Sequence, residues 1–274
     1  MPANLLPLEH LSDADFDFLA GAVSPHPDAR DRIARLLRDG GPVIERALDD
    51  ERCHRALNET PEAATRLSPY LLFAILLHRR RRAGAGGEDG HRLLESPWTR
   101  YYLVELLAGS CYDPPGSVTL QLAGRTIRSS LRSIDLSALN KHALLASDAE
   151  RLCIYRRLGD LTLFLSGAAG ALLPAADDAE QRPALPYSEE ELEREGRRYY
   201  ELAAQHRAAS SSYLAATLRQ LATHYAEARQ VIRQAVNEDL PRVYPGGFRA
   251  LARRQADSQR FIDLALSAPD GSWE

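Results

Sequence analysis

The chain has 274 residues, 45% hydrophobic and 26% charged, proportions of an ordinary folded protein that exclude wholesale disorder. A chain of this length buries roughly three-quarters of its extended surface, so its core needs neither disulfides nor metals. A formal net charge of −4 excludes a generally basic protein that coats nucleic acid.

Three cysteines, Cys53, Cys111 and Cys153, lie far apart and form no C-x-x-C pair. That spacing supports neither a disulfide framework nor a structural zinc site, and reduced thiols in a cytoplasm fit best. The cationic residues are almost all Arg, with Lys141 the single Lys, a bias expected of GC-rich coding. Residues 1–10 carry no positive cluster or apolar run before Asp13, Asp15 and Asp17, so no signal peptide is expected. The most apolar stretch, 70–77, would span about 12 Å as a helix against a hydrocarbon core of about 30 Å, so no transmembrane span is expected.

Helical periodicity dominates, and the pattern predicts an all-α protein of about nine helices. Ser12 can cap a helix to about residue 22, ended by Ser24-Pro25-His26-Pro27. Residues 28–38 form a second helix that stops at Gly40-Gly41. Pro42 opens a helix over 43–48 that continues through 57. Ser68-Pro69 and Ser96-Pro97 each pair a capping hydroxyl with Pro at the first helical position, predicting helices over 70–82 and 98–108. Residues 84–90, rich in glycine, read as a flexible loop; they follow no strand and carry Glu88 and Asp89, so they are not a phosphate loop. Period-two alternation over 117–128 predicts one small β-hairpin packed on helices.

Helices follow over 137–145 and 148–166. The second has apolar residues on several faces, which predicts a central position. Residues 167–187 shift to Ala, Asp and Pro and read as a linker. The expected organisation is therefore an N-terminal helical subdomain (1–170), a linker or long loop (171–187) and a C-terminal subdomain (188–268), with packing as one domain the alternative. Ser188 and Glu191 form a capping box for a helix to about 209, and Ser210–Ser212 mark a turn or kink. Leu214, Leu218, Leu221, Tyr225, Ala228, Ile232 and Ala235 then advance in steps of four and three, a heptad seam wanting a partner helix. Pro241 ends it, 244–247 make a turn, and 248–266 form the last helix.

No lipase, β-lactamase, zincin or Walker pattern is present. Glu-x-x-His occurs at Glu51–His54 and Glu88–His91, about as often as chance allows, and no metal or cofactor is implied. His206 and His224 are too far apart along the chain to share an ion and read as hydrogen-bonded structural histidines. Asp160, inside the apolar helix, must be paired or protonated, and Arg156 and Arg157 lie within one turn of it. Gly159 marks close approach by another helix. The run His78-Arg79-Arg80-Arg81-Arg82 fits the negative end of a helix dipole better than a polyanion site, so nucleic acid is not an expected partner.

The segment from Tyr155 to Gly167, Tyr-Arg-Arg-Leu-Gly-Asp-Leu-Thr-Leu-Phe-Leu-Ser-Gly, resembles one in a group of uncharacterised bacterial helical proteins, as does the later Tyr199-Tyr200 pair. The resemblance covers about a third of the chain, over 150–240. It departs at Ala168-Ala169, where the group carries Phe-Pro. It implies a helical fold and no activity.

The sequence therefore points first to a non-enzymatic interaction or regulatory protein, with a partner or a second copy engaged through Leu214, Leu218, Leu221, Tyr225 and Ile232. The alternative is a small-molecule-binding protein or enzyme with a pocket between helices around Asp160, near Tyr155, Tyr199, His206 and His224. No catalytic role is assigned; Asp160, Tyr199 and His224 are the candidates for one.

Overall fold

The computed structural model describes residues 8–40, 42–84, 87–113, 117–122, 125–131, 133–172, 185–209 and 213–267. After a 3-10 turn (Leu8–His10) come α1 (Asp13–Val23), α2 (Pro27–Arg38), α3 (Pro42–Asp49), α4 (Glu51–Glu59), the short α5 (Pro61–Ala64) and α6 (Pro69–Arg82). The expected single helix over 43–57 is two, because the Asp50 side chain caps α4 at the Arg52 N–H. Ser12 and Asp15 form a capping box on α1. Asp15 is fully buried, and its second oxygen accepts the Ser68 N–H at 2.9 Å. One carboxylate thus sits at the positive ends of both α1 and α6.

α7 (Gly87–Glu95) and α8 (Pro97–Ser110) follow. The loop expected over 84–90 is corrected here: Gly87 and Gly90 belong to α7. Burial of Leu93 and Leu94 outweighs the roughly 1 kcal/mol that each helical glycine costs. The expected hairpin is present as an antiparallel pair, β1 (Ser117–Leu122) and β2 (Arg125–Ser130), with Ser117 opposite Ser130 and Leu122 opposite Arg125.

The rest is helical: α9 (Leu136–Leu145), α10 (Asp148–Leu172), α11 (Glu189–Gln205), α12 (Tyr213–Thr223), α13 (Tyr225–Gln234), a π-helical segment (Ala235–Asp239), α14 (Leu240–Val243) and α15 (Gly247–Ser267). The class is all-α, with more than the nine helices expected, because capping residues and backbone breaks divide stretches whose apolar pattern is continuous. α10 runs past the position where the linker was expected to begin. α10 continues through 167–172, held by buried Ala168 and by Ile232 packed over Gly167, whereas 173–184 lie outside the described residues. α11 stops at Gln205 rather than 209, since His206 turns to extended geometry (ψ 134°). The expected break at Ser210–Ser212 lies outside the described residues.

α6 and α8 are buried on nearly every face, and α10 packs along α11 and α13. Buried side chains from Leu11 to Ala252 form one continuous core across both expected subdomains. The heptad seam is broken at His224 (φ −109°, ψ 43°), yet it stays inward. Leu218, Leu221, Tyr225, Ala228, Ile232 and Ala235 have no accessible surface and Leu214 is half-buried, covered from within the chain by α10 and α11. Two glycines make the closest approaches possible. A Cβ on Gly159 would lie 2.7 Å from the Tyr200 ring, and one on Gly196 would overlap the Tyr225 ring and the Thr162 hydroxyl. The close approach read at Gly159 is therefore that of α11, through Tyr200. Among the described residues, no helix is long and apolar enough to cross a membrane.

Candidate functional site

Asp160 is buried on α10, and it meets partners from two other helices. Tyr102 on α8 donates its hydroxyl to Oδ1 at 2.5 Å, and Tyr200 on α11 donates to the same oxygen at 3.1 Å. Arg156, one turn earlier, places Nε 3.9 Å from Oδ2 and its guanidinium over the Tyr102 ring at 5.7 Å. Burial raises the Asp160 carboxyl above its ordinary range, while Arg156, the Tyr102 hydroxyl, Arg157 and the Tyr200 hydroxyl pull it back.

The other sequence candidates stand apart from it. Tyr199 stacks on Tyr155, with centroids 6.4 Å apart. His206 binds Asp148 at 3.2 Å, in an ion cluster that Arg207 joins. His224 occupies the break between α12 and α13 and makes no side-chain cap. The structure thus brings Asp160 to Tyr102 and Tyr200, and not to Tyr199, His206 or His224.

Arg156 leads outward from Asp160 into a pocket of about 290 Å³, lined by His10, Tyr70, Glu105, Ala108, Gly109, Tyr112 and Arg156. The Arg156 side chain remains 46% exposed. Tyr70 is buried, with the His10 ring 5.0 Å away, and its hydroxyl has no hydrogen-bond partner among the described residues. Burial, Glu105 and Glu9 hold that phenol well above its usual range, so it is a neutral donor at any ordinary pH. Desolvation also raises Glu105, against the pull of Arg156 and His10. Chemically, the pocket offers a guanidinium, a carboxyl group, a spare phenol and aromatic walls. Sequence reading missed Tyr70, Glu105, Tyr102 and Tyr200. The available signal was Glu105 itself, a carboxylate inside the apolar run Tyr101-Tyr102-Leu103-Val104-Glu105-Leu106-Leu107.

A second polar cluster has a buried centre. His78 has no exposed surface; its Nδ1 lies 2.7 Å from Asp49, and its Nε2 receives the Arg100 Nε–H at 3.1 Å. That pairing assigns the ring proton to Nδ1. Arg100 also donates to the Leu94 carbonyl and to Glu45, and Glu45 accepts the Tyr101 hydroxyl. Burial works against the Asp49 carboxylate, but hydrogen bonds from His78 and Arg81 prevail and draw it down to about 2. With His78 itself fully buried, this cluster joins α3, α6 and α8.

Three arginines of the run hold partners elsewhere in the chain. Arg80 donates to Asp239 at 2.5 Å and to Gln234, and Arg81 donates to Asp49 at 2.6 Å. Arg82 reaches the Asp49 carbonyl. The helix dipole accounts for less here than carboxylates brought from other helices. Of the Glu-x-x-His pairs, His54 is buried with both ring nitrogens unpartnered among the described residues, and Glu51 lies 4.0 Å from Arg55; the Glu88 and His91 side chains lie outside the described residues. Among the described residues, no three His, Cys, Asp or Glu side chains gather as metal ligands.

No protein-family model, curated protein or solved structure matches the chain.

Proposed function

We propose that the protein binds a small molecule in the pocket beside Asp160, between the Leu8–His10 turn, α6, α8 and α10. The observation that carries this reading is the buried Tyr70 hydroxyl, which has no hydrogen-bond partner among the described residues, in a pocket that Arg156 also lines. A buried hydroxyl without a partner costs about 1–3 kcal/mol, and a ligand acceptor relieves that cost. Asp160, fixed by two phenols, holds Arg156 and so belongs to the binding apparatus. Three free thiols, two of them buried, favour a reducing compartment such as a bacterial cytoplasm.

Gly109 supplies the test. It lines the pocket, and a Cβ there meets nothing within 4 Å, so Gly109→Phe carries its ring to the pocket with no clash at the Cβ, and circular dichroism checks that the variant folds. Ligand-observed NMR with a fragment mixture should give binders to the wild-type chain that Gly109→Phe loses. Equal responses from the two proteins would defeat the reading.

One observation favours an interaction module as a second reading. Leu144 and Leu145, at the end of α9, are 62% and 87% exposed. Sedimentation velocity across a concentration series should then show self-association that Leu145→Ser removes.

A further inference from the structure

The pocket holds two opposite charges that do not meet. Arg156 enters from α10 and Glu105 from α8, and no ion pair joins them, although each feels the other's charge. Among the described residues, the one carboxylate paired with Arg156 is Asp160, reached through Nε, which leaves the two terminal nitrogens with donors to spend. Neither Glu105 nor the Tyr70 hydroxyl, both in the pocket lining, has a hydrogen-bond partner among the described residues.

We infer that this pocket takes a small zwitterion, an α-amino acid or its N-methylated form, with the carboxylate on Arg156 and the ammonium beside Glu105 and the Tyr70 and Tyr112 rings. The inference rests on the ligand-binding reading above and names its ligand. A guanidinium presents a planar fork that matches a carboxylate, and an ammonium is drawn both to a carboxylate and to aromatic faces. A simple anion would bring its charge up to Glu105, with Asp160 behind. A simple amine would face Arg156 and leave its donors unused. A ligand with both charges meets both walls at once. A volume of about 290 Å³ lies at the small end for ligand pockets and suits a molecule of this size.

The experiment is calorimetry on the full chain with glycine betaine, L-valine and L-phenylalanine. Acetate and tetramethylammonium serve as single-charge controls. At least one zwitterion should bind, with each control weaker by about tenfold or more. Arg156→Gln and Glu105→Gln should each lower that affinity by about tenfold, with circular dichroism reporting that both variants fold. Tyr70→Phe, which removes one oxygen, provides a third variant and should weaken the same ligand. Acetate or tetramethylammonium binding as tightly as the zwitterions would overturn the zwitterion and leave the pocket in place. Silence from all three zwitterions would overturn it too, and fragments lost on Gly109→Phe would still uphold the pocket.

Discussion

Tyr102 donates its hydroxyl to Asp160 at 2.5 Å, across 58 positions of sequence, and so ties α8 to α10 at the point where Arg156 turns toward the pocket. Tyr200 completes the arrangement from α11, seated against the bare face of Gly159. A carboxylate in that setting serves two ends: it satisfies two buried phenols, and it orients a guanidinium.

Asp160 should make stability depend on pH with a defined sign. Its carboxyl is raised in the folded state, so the fold holds the proton more tightly than the unfolded chain does. Stability is then fullest below the ordinary carboxylate range and declines as pH rises through the folded value. Asp160→Asn keeps an oxygen for both phenols and removes this decline. Urea denaturation of both proteins from pH 4 to 7 should show wild type losing ground to the variant as pH rises. Asp160→Leu strands two hydroxyls and should cost about 2–4 kcal/mol.

His54 should act in the opposite direction. It is buried without partners, and desolvation, with Arg82 and Arg79 nearby, lowers it from 6.5 to about 4. Above pH 6.5 both states are neutral there and the fold is unpenalised. As pH falls from 6.5 toward 4 the unfolded chain gains the proton first, costing roughly 3 kcal/mol by the end of that interval. Relative to His54→Leu, wild type should weaken over that window. Parallel pH profiles for the two would contradict the assignment.

Glycines of α8 and α11 should respond with opposite signs. Gly196→Ala drives a methyl into the Tyr225 ring and Thr162, and should destabilise by about 1–3 kcal/mol despite its better helix propensity. Gly109→Ala meets open space and should stabilise by about 0.5–1 kcal/mol. Guanidinium melts of the two variants check both signs at once.

Within the arginine run, position should decide the outcome. Arg80→Ala leaves Asp239 buried without its closest cation and should cost about 3–5 kcal/mol. Arg79→Ala, at a position with no ion pair among the described residues, should cost less than about 1 kcal/mol. Similar losses at both positions, read by thermal denaturation, would show that the run acts as a surface charge patch instead.

Much of the fold was legible because its signals are local. Ser12, Ser68, Ser96 and Ser188 start helices through bonds to backbone groups no more than three residues away, so a few letters carry the whole interaction. The inward direction of Leu218, Leu221, Tyr225 and Ile232 follows from helical spacing alone. Their partner does not, because an apolar stripe is satisfied equally by the same chain or by another, and here α10 and α11 cover it. The glycine-rich start of α7 and the extension of α10 past Gly167 depended on burial, which overrides propensity only once neighbours exist. For the site, the sequence determined that Asp160 needs partners and that Arg156 lies within reach, since both sit on one helix turn. Which phenols complete it, and that Tyr70, Glu105 and Arg156 line one cavity, was decided by tertiary structure: hydrogen bonds across 40 and 58 positions form only when packing has brought the helices together.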